Sequence, residues 1–154
     1  MKQKIAYIQL GIVFVVIFLC ITKTYSDYLI MVEKTSVKDL QTQIMEAALE
    51  VHKNMGLGFQ EPAYSQALAY EFDLRKIDYE RKKDIKVSYK GSVAGEYTLE
   101  FVVRNSIIVM IKSGEQIAEL DESKMKSFLK ATKLDLGMII DFGKKVLEIK
   151  SVTK

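Results

Sequence analysis

Glu61, Glu100 and Lys112 are the side chains of this sequence whose types could do chemistry together. Lys112 closes the run IIVMIK, residues 107–112, in which five apolar residues precede the lysine and Ser113 follows. The run reads as a buried strand, and a strand puts Lys112 on the same face as Met110. Glu100 lies in the preceding strand-like run GEYTLEFVV, residues 95–103, so adjacent strands can bring an acid and a lysine onto one sheet face. Glu61 and Tyr64 are three apart at the start of a helical segment and share a helix face. A helix packed on that sheet adds Glu61 to the group. Carboxylates can hold a divalent ion, which polarises a phosphodiester and lowers the pKa of a bound water. A neighbouring lysine can stabilise the developing charge or help activate that water. One acid per strand is also common on a solvated surface, so this spacing alone is a weak signal.

The elements that must position these residues follow from periodicity. Ile44, Ala47, Ala48, Val51 and Met55 recur at helical spacing and predict a helix over 39–55, stopped by the GLG at 56–58. A second helix starts near Pro62, a good first-turn residue, and fades by about Lys76, with Ala63, Ala67, Tyr70 and Leu74 as its buried stripe. The period then becomes two. Ile85, Val87 and Tyr89 alternate with Lys86, Ser88 and Lys90 before Gly91 turns the chain. The strands at 95–103 and 107–112 follow, joined by a tight Arg104-Asn105-Ser106 connection. Residues 121–132 return to helix, with Met125, Phe128 and Leu129 inward and Lys126, Lys130 and Lys133 on another side. LGMIIDFG, residues 136–143, is a nearly all-apolar inner strand, and VLEIKSV is the last. The order ααβββαββ predicts an α/β domain, a mixed sheet flanked by helices.

The chain has 154 residues, of which 49% are hydrophobic, enough for one domain with a real core plus a tail. Its net charge is +3, but residues 1–30 hold Lys2, Lys4, Lys23 and Asp27, so the remainder carries 20 basic and 19 acidic residues. A role on polyanions therefore needs a local patch rather than net charge. A single cysteine excludes an intrachain disulfide and a single histidine excludes a multi-histidine metal site. Any metal chemistry must use oxygen ligands, as for magnesium or manganese.

Residues 5–22, IAYIQLGIVFVVIFLCIT, contain no charge. As a helix they reach about 27 Å, close to a bilayer hydrocarbon core. No small-residue cleavage site follows, so an uncleaved single-pass N-terminal anchor is expected, with a weak lysine bias placing the N-terminus in the cytoplasm and the domain beyond the membrane. The expected organisation is a hydrophobic anchor and linker over 1–30 and a domain over 31–154. The rival is a native product that starts near Met31 and is cytoplasmic.

Gly58, Glu61 and Tyr64 in GFQEPAY match the motif that names the GxxExxY proteins. ALEVHKNMGLGFQEPAYSQALAYEF, YERKKDIKVSYKGSVAGEY, FLKAT and GMIIDFGKKVLEIK resemble successive blocks of that family over about residues 38–152. The family is similar to the PD-(D/E)XK nucleases, and the resemblance implies a restriction-endonuclease-like core. It also implies a magnesium- or manganese-dependent nuclease site with Glu61, Glu100, Lys112 and Lys124 as catalytic candidates, Glu61 and Glu100 as metal ligands, and DNA or RNA as partner. The departures are specific. Glu100 stands for an aspartate of the family pattern, Met110-Ile111-Lys112 for Glu-x-Lys, and Lys124 for a glutamine early in the next helix. A thioether is a poor ligand for a hard cation, and a misplacement of about 1 Å can cost on the order of a hundredfold in rate.

Two readings stand. One is a nuclease-like domain with a degenerate, weak or inactive phosphodiesterase site, needing magnesium or manganese if active and no cofactor otherwise. The other is a non-catalytic module, membrane-anchored or nucleic-acid-binding, with unknown protein partners. Each residue also has a plainer role. Lys112 can be a strand-end lysine reaching water, Glu61 a first-turn acid favoured by the helix dipole, and Tyr64 a packing residue with a satisfied hydroxyl. His52 is expected to be structural, Glu96 is a possible substitute carboxylate, and the Lys126/Lys130/Lys133 face and the RKK at 81–83 read more readily as solvated than as phosphate contacts.

Overall fold

A computed structural model of the chain describes residues 37–114 and 116–154. The apolar segment 5–22 and the expected boundary at 30/31 lie outside the described residues. Among the described residues no helix is long and apolar enough to cross a membrane.

Helix α1 covers residues 37–55, and its inward residues Ile44, Ala47, Ala48 and Val51 are buried as their spacing predicts. Gly56 ends it at φ 70°, with its N–H donated to the His52 carbonyl at 3.0 Å, the left-handed stop that glycine favours. Helix α2, Glu61–Leu74, has Pro62 in its first turn. Strands β1, Tyr79–Tyr89, and β2, Ser92–Val103, form a long antiparallel hairpin whose turn residues Lys90 and Gly91 both have positive φ. Strand β3, Ile107–Lys112, follows antiparallel to β2, and helix α3, Glu119–Thr132, crosses over to β4, Leu136–Asp141, which is parallel to β3. Strand β5, Glu148–Thr153, closes the sheet antiparallel to β4. The sheet order is β1-β2-β3-β4-β5, and with α1 the element order is the expected ααβββαββ.

The sheet is covered on both faces. On one, Phe72 of α2 packs edge-on against Phe101 of β2, and Gln41 of α1 donates to Ser151 of β5 at 3.3 Å. On the other, Met125, Phe128 and Leu129 of α3 bury against Leu99, Val102, Ile108, Ile139 and Val152. Gly137 lets α3 approach, because a Cβ there would stand 2.3 Å from the Met125 sulfur.

The buried face of α2 differs from the expected stripe. Tyr64, Ser65, Leu68, Ala69 and Phe72 are buried, whereas Tyr70 and Leu74 are exposed. The helix is rotated by about one residue from its apparent stripe, so that two large aromatics, Tyr64 and Phe72, enter the core.

One distortion positions the site. Leu99 packs toward α3 and Phe101 toward α2, although residues two apart in a regular strand share a face. Val102 is again on the α3 side. The alternation slips at Glu100, and the β1–β2 ladder skips the Lys82/Glu100 pair, where Lys82 sits at φ 54°. The ladder resumes in the same register on either side, so the break inserts no residue, and it leaves the Glu100 side chain outside the strict alternation of faces.

Candidate active site

Glu61, Glu100, Met110, Lys112 and Lys124 all line one cavity of about 190 Å³. The start of α2 supplies Glu61, the kink of β2 supplies Glu100, the end of β3 supplies Met110 and Lys112, and α3 supplies Lys124 and Asp121. All four residues expected to be catalytic are therefore brought together. Glu96 is not among them; it pairs with Lys86 at 3.6 Å on the exposed hairpin.

Lys112 is held by two carboxylates. Its Nζ lies 3.9 Å from Glu61 Oε1 and 3.4 Å from Asp121 Oδ1. Asp121 was not singled out in the sequence, yet it has two tasks: its other oxygen accepts the Ala118 N–H at 3.0 Å, closing the first turn of α3. The sequence signal was an acid three residues after the helix entry, a capping pattern that carries no hint of the strand lysine beside it. Met110 is partly buried against the α3 cluster and brings a thioether into the lining.

Glu100 is held from behind. Ser65, 1% exposed, donates its hydroxyl to Glu100 Oε1 and accepts from Arg81 Nη2 at 2.8 Å. Arg81 also donates to Gln66 Oε1 at 2.7 Å and lies over the Phe101 ring. A hydroxyl has one proton, so this chain runs in one direction, from guanidinium through Ser65 to carboxylate. Arg81 thus departs from the solvated reading of the RKK run.

Tyr64 and His52 take the structural roles. Tyr64 is fully buried, stacks on Phe142 with centroids 4.7 Å apart, and donates its hydroxyl to the Gly56 carbonyl at 2.8 Å. His52 Nε2 bonds the Lys144 carbonyl at 2.8 Å. Both therefore tie the α1–α2 corner to the loop after β4. Asp141 completes that loop: its Oδ1 accepts the N–H groups of Gly114 and Gly143, while its buried Oδ2 has no hydrogen-bond partner among the described residues. It is the ladder partner of Lys112 on β4.

Hard carboxylate oxygens of Glu61, Glu100 and Asp121 face the cavity, which suits magnesium or manganese by type. Their arrangement does not suit it. The Lys112 ammonium stands between Glu61 and Asp121, Glu100 spends one oxygen on Ser65, and Met110 adds no oxygen. Among the described residues no three Asp, Glu, His or Cys side chains are grouped so as to hold a metal ion.

A mixed five-stranded sheet covered on both faces, with an acid, a lysine and a helix carboxylate gathered in one cleft, is consistent with a restriction-endonuclease-like fold. Residues 38–152 match the family model of the PD-(D/E)XK nuclease superfamily, and the chain belongs to that superfamily. No curated protein and no solved structure matches the chain. Nucleases of this superfamily typically use magnesium or manganese.

Proposed function

We propose that this chain is a GxxExxY-type member of its superfamily that has kept the nuclease scaffold and contacts nucleic acid, but whose hydrolytic site is incomplete. The observation that carries this reading is Met110, which lines the same cavity as Glu100 and Lys112 and stands where the family resemblance expects a glutamate. The 190 Å³ cavity is smaller than the roughly 300–1,000 Å³ of a typical small-molecule site, which suits one nucleotide unit better than a large cofactor. The apolar segment 5–22 gives the reading its location, a domain tethered to a membrane by an N-terminal anchor.

Asp121 favours a second reading, residual metal-dependent phosphodiester cleavage. A carboxylate from α3 is already in the cavity, and a shift of Lys112 toward solvent would leave Glu61, Glu100 and Asp121 as three candidate ligands. In that reading these three carboxylates would hold magnesium or manganese, which would supply a polarised phosphate and an activated water.

A cleavage assay on the full chain separates the two. Single- and double-stranded DNA and RNA are incubated with magnesium or manganese, beside Met110→Glu and the double variant Met110→Glu with Glu100→Asp. The first reading expects no cleavage by the natural sequence and cleavage by the restored variants. Cleavage by the natural sequence that Lys112→Ala and Asp121→Asn both abolish would establish the second reading instead.

A further inference from the structure

The mouth of the cavity carries an aromatic side chain that the hydrolytic chemistry does not use. Tyr97 of β2 lines the cavity and is 48% exposed. Phe128 of α3 backs it, with ring centroids 5.8 Å apart and planes at 58°. The ring leans along its own strand over Gly95, where an added Cβ would touch Cε2 at 3.4 Å. A large apolar ring is thus supported by Phe128 and by the absence of a side chain at 95, and still leaves nearly half its surface to solvent. Beside it, Lys124 places its ammonium 5.7 Å from the centroid of the same Phe128 ring, and it has no carboxylate partner among the described residues.

The charges lining the cavity fall into two groups. In one, the carboxylates of Glu61, Glu100 and Asp121 outnumber the single ammonium of Lys112, which two of them already engage. That group repels a phosphate unless a metal screens it. In the other, Lys124 has no carboxylate partner among the described residues, lies one helical turn from Phe128 and shares that ring with the exposed Tyr97. A ligand that fits both groups has an uncharged planar part and a negatively charged part. A nucleotide unit has this form, and its base is free to enter only when unpaired. Carboxylate acceptors also suit the exocyclic amino groups of bases.

We propose that Tyr97, backed by Phe128 and flanked by Lys124, is a stacking platform for one unpaired base of a single-stranded nucleic acid, with the base turned toward the cavity and its phosphate at Lys124. The proposal rests on the nucleic-acid reading of the site and adds to it the strand state and the orientation of the ligand. Stacking on an aromatic side chain tolerates any base, so the site selects single strands over duplexes more than one sequence over another.

Fluorescence anisotropy tests this with the full chain and three short labelled probes: a single strand of mixed sequence, its duplex, and an abasic sugar-phosphate strand of equal length. The single strand is expected to bind on the order of tenfold more tightly than the abasic strand. Tyr97→Ala and Tyr97→Leu remove that preference and leave abasic binding unchanged, while Tyr97→Phe keeps it. The leucine variant retains an apolar contact with Phe128, so a loss common to it and alanine reports the missing ring rather than a loosened hairpin. Lys124→Ala weakens all single-stranded probes and flattens their dependence on salt. If Tyr97→Ala keeps the preference for a base-bearing strand, the platform is wrong while nucleic-acid binding stands. If the natural chain binds none of the probes, the nucleic-acid reading fails and the platform with it.

Discussion

Replacing Met110 by glutamate puts a fourth carboxylate into a cavity that already sets those of Glu61, Glu100 and Asp121 against the ammonium groups of Lys112 and Lys124. Position 110 is two residues from Lys112 along one strand face, about 6–7 Å by strand geometry. At that range and an effective dielectric of ~20–40, each like-charge pair costs about 1–3 kcal/mol. Attraction to the two lysines offsets most of three such repulsions and leaves roughly one pair uncompensated. Met110→Glu should therefore lower stability at pH 7 by about 2 kcal/mol, or roughly 8 °C in melting temperature for a domain of this size. A divalent ion reverses the sign of the argument. If the new carboxylate completes a site, manganese at a hundredfold its dissociation constant stabilises the folded state by about 2.7 kcal/mol and restores the melting temperature. The assay is thermal unfolding by circular dichroism at constant ionic strength, with manganese or with a chelator. The natural chain should show no manganese-dependent gain. A gain in the natural chain equal to that of the variant would mean that a complete site exists without position 110, and the claim that Met110 breaks it would be wrong. A variant that loses stability but gains nothing from the ion would show that the carboxylates do not converge.

Three further perturbations probe the supports of the site. Ser65→Ala removes the hydroxyl that links Arg81 to Glu100 and leaves partly buried charged groups without it; urea unfolding should show a loss of about 1–3 kcal/mol, and Glu100→Gln made on top should cost less than it does alone. Gly137→Ala drives a methyl into the fully buried Met125 sulfur, 2.3 Å away; a loss of about 1–3 kcal/mol is expected, partly recovered by Met125→Ala, and full stability in the single variant would refute the close approach of α3. Burial, reinforced by the hydrogen bond to Asp73 and the Asp73 charge and opposed by Arg81, raises the Tyr79 hydroxyl above its ordinary 10.0. The unfolded chain then releases this proton first, so the contribution is complete below pH 10.0 and is lost as pH rises through the folded value; alkaline titration of stability should be flatter in Tyr79→Phe, and an unchanged slope would count against the assignment.

Much of the fold was legible because its strongest signals are long and periodic. The runs at 107–112 and 136–141 are too apolar to be anything but inner elements, and Met125, Phe128 and Leu129 mark the inward side of α3 without ambiguity. What escaped was local. In α2, apolar residues lie nearly all round the helix, so 63/67/70/74 and 64/68/72 both have helical spacing, and only tertiary packing chooses the second. The slip at Glu100 depends on Lys82 adopting a left-handed conformation that a lysine seldom prefers, and no pattern in RKK announces it. Asp121 escaped because an acid in the first turn of a helix carries no sign of the strand lysine it meets in space.

These misses explain how the site is built. The motif Gly58, Glu61, Tyr64 divides its labour. Tyr64 is spent on structure, stacking on Phe142 and pinning the chain at Gly56, so that the first turn of α2 is fixed and Glu61, three residues earlier, meets the end of β3. Arg81 and Ser65 do the same for Glu100 from the far side. Of the charged groups in the cavity, only Lys112 is engaged by acids from two different helices, Glu61 of α2 and Asp121 of α3. With glutamate at position 110 that lysine would have an acid on its own strand. With methionine there, Asp121 supplies the nearer counter-charge at 3.4 Å. Methionine at position 110 and a folded, charge-balanced lysine at position 112 are therefore compatible. The exposures of the three side chains, 29% for Lys112, 50% for Glu61 and 15% for Asp121, keep the pairing partly solvated. Such a pair contributes little to stability, about 1 kcal/mol or less.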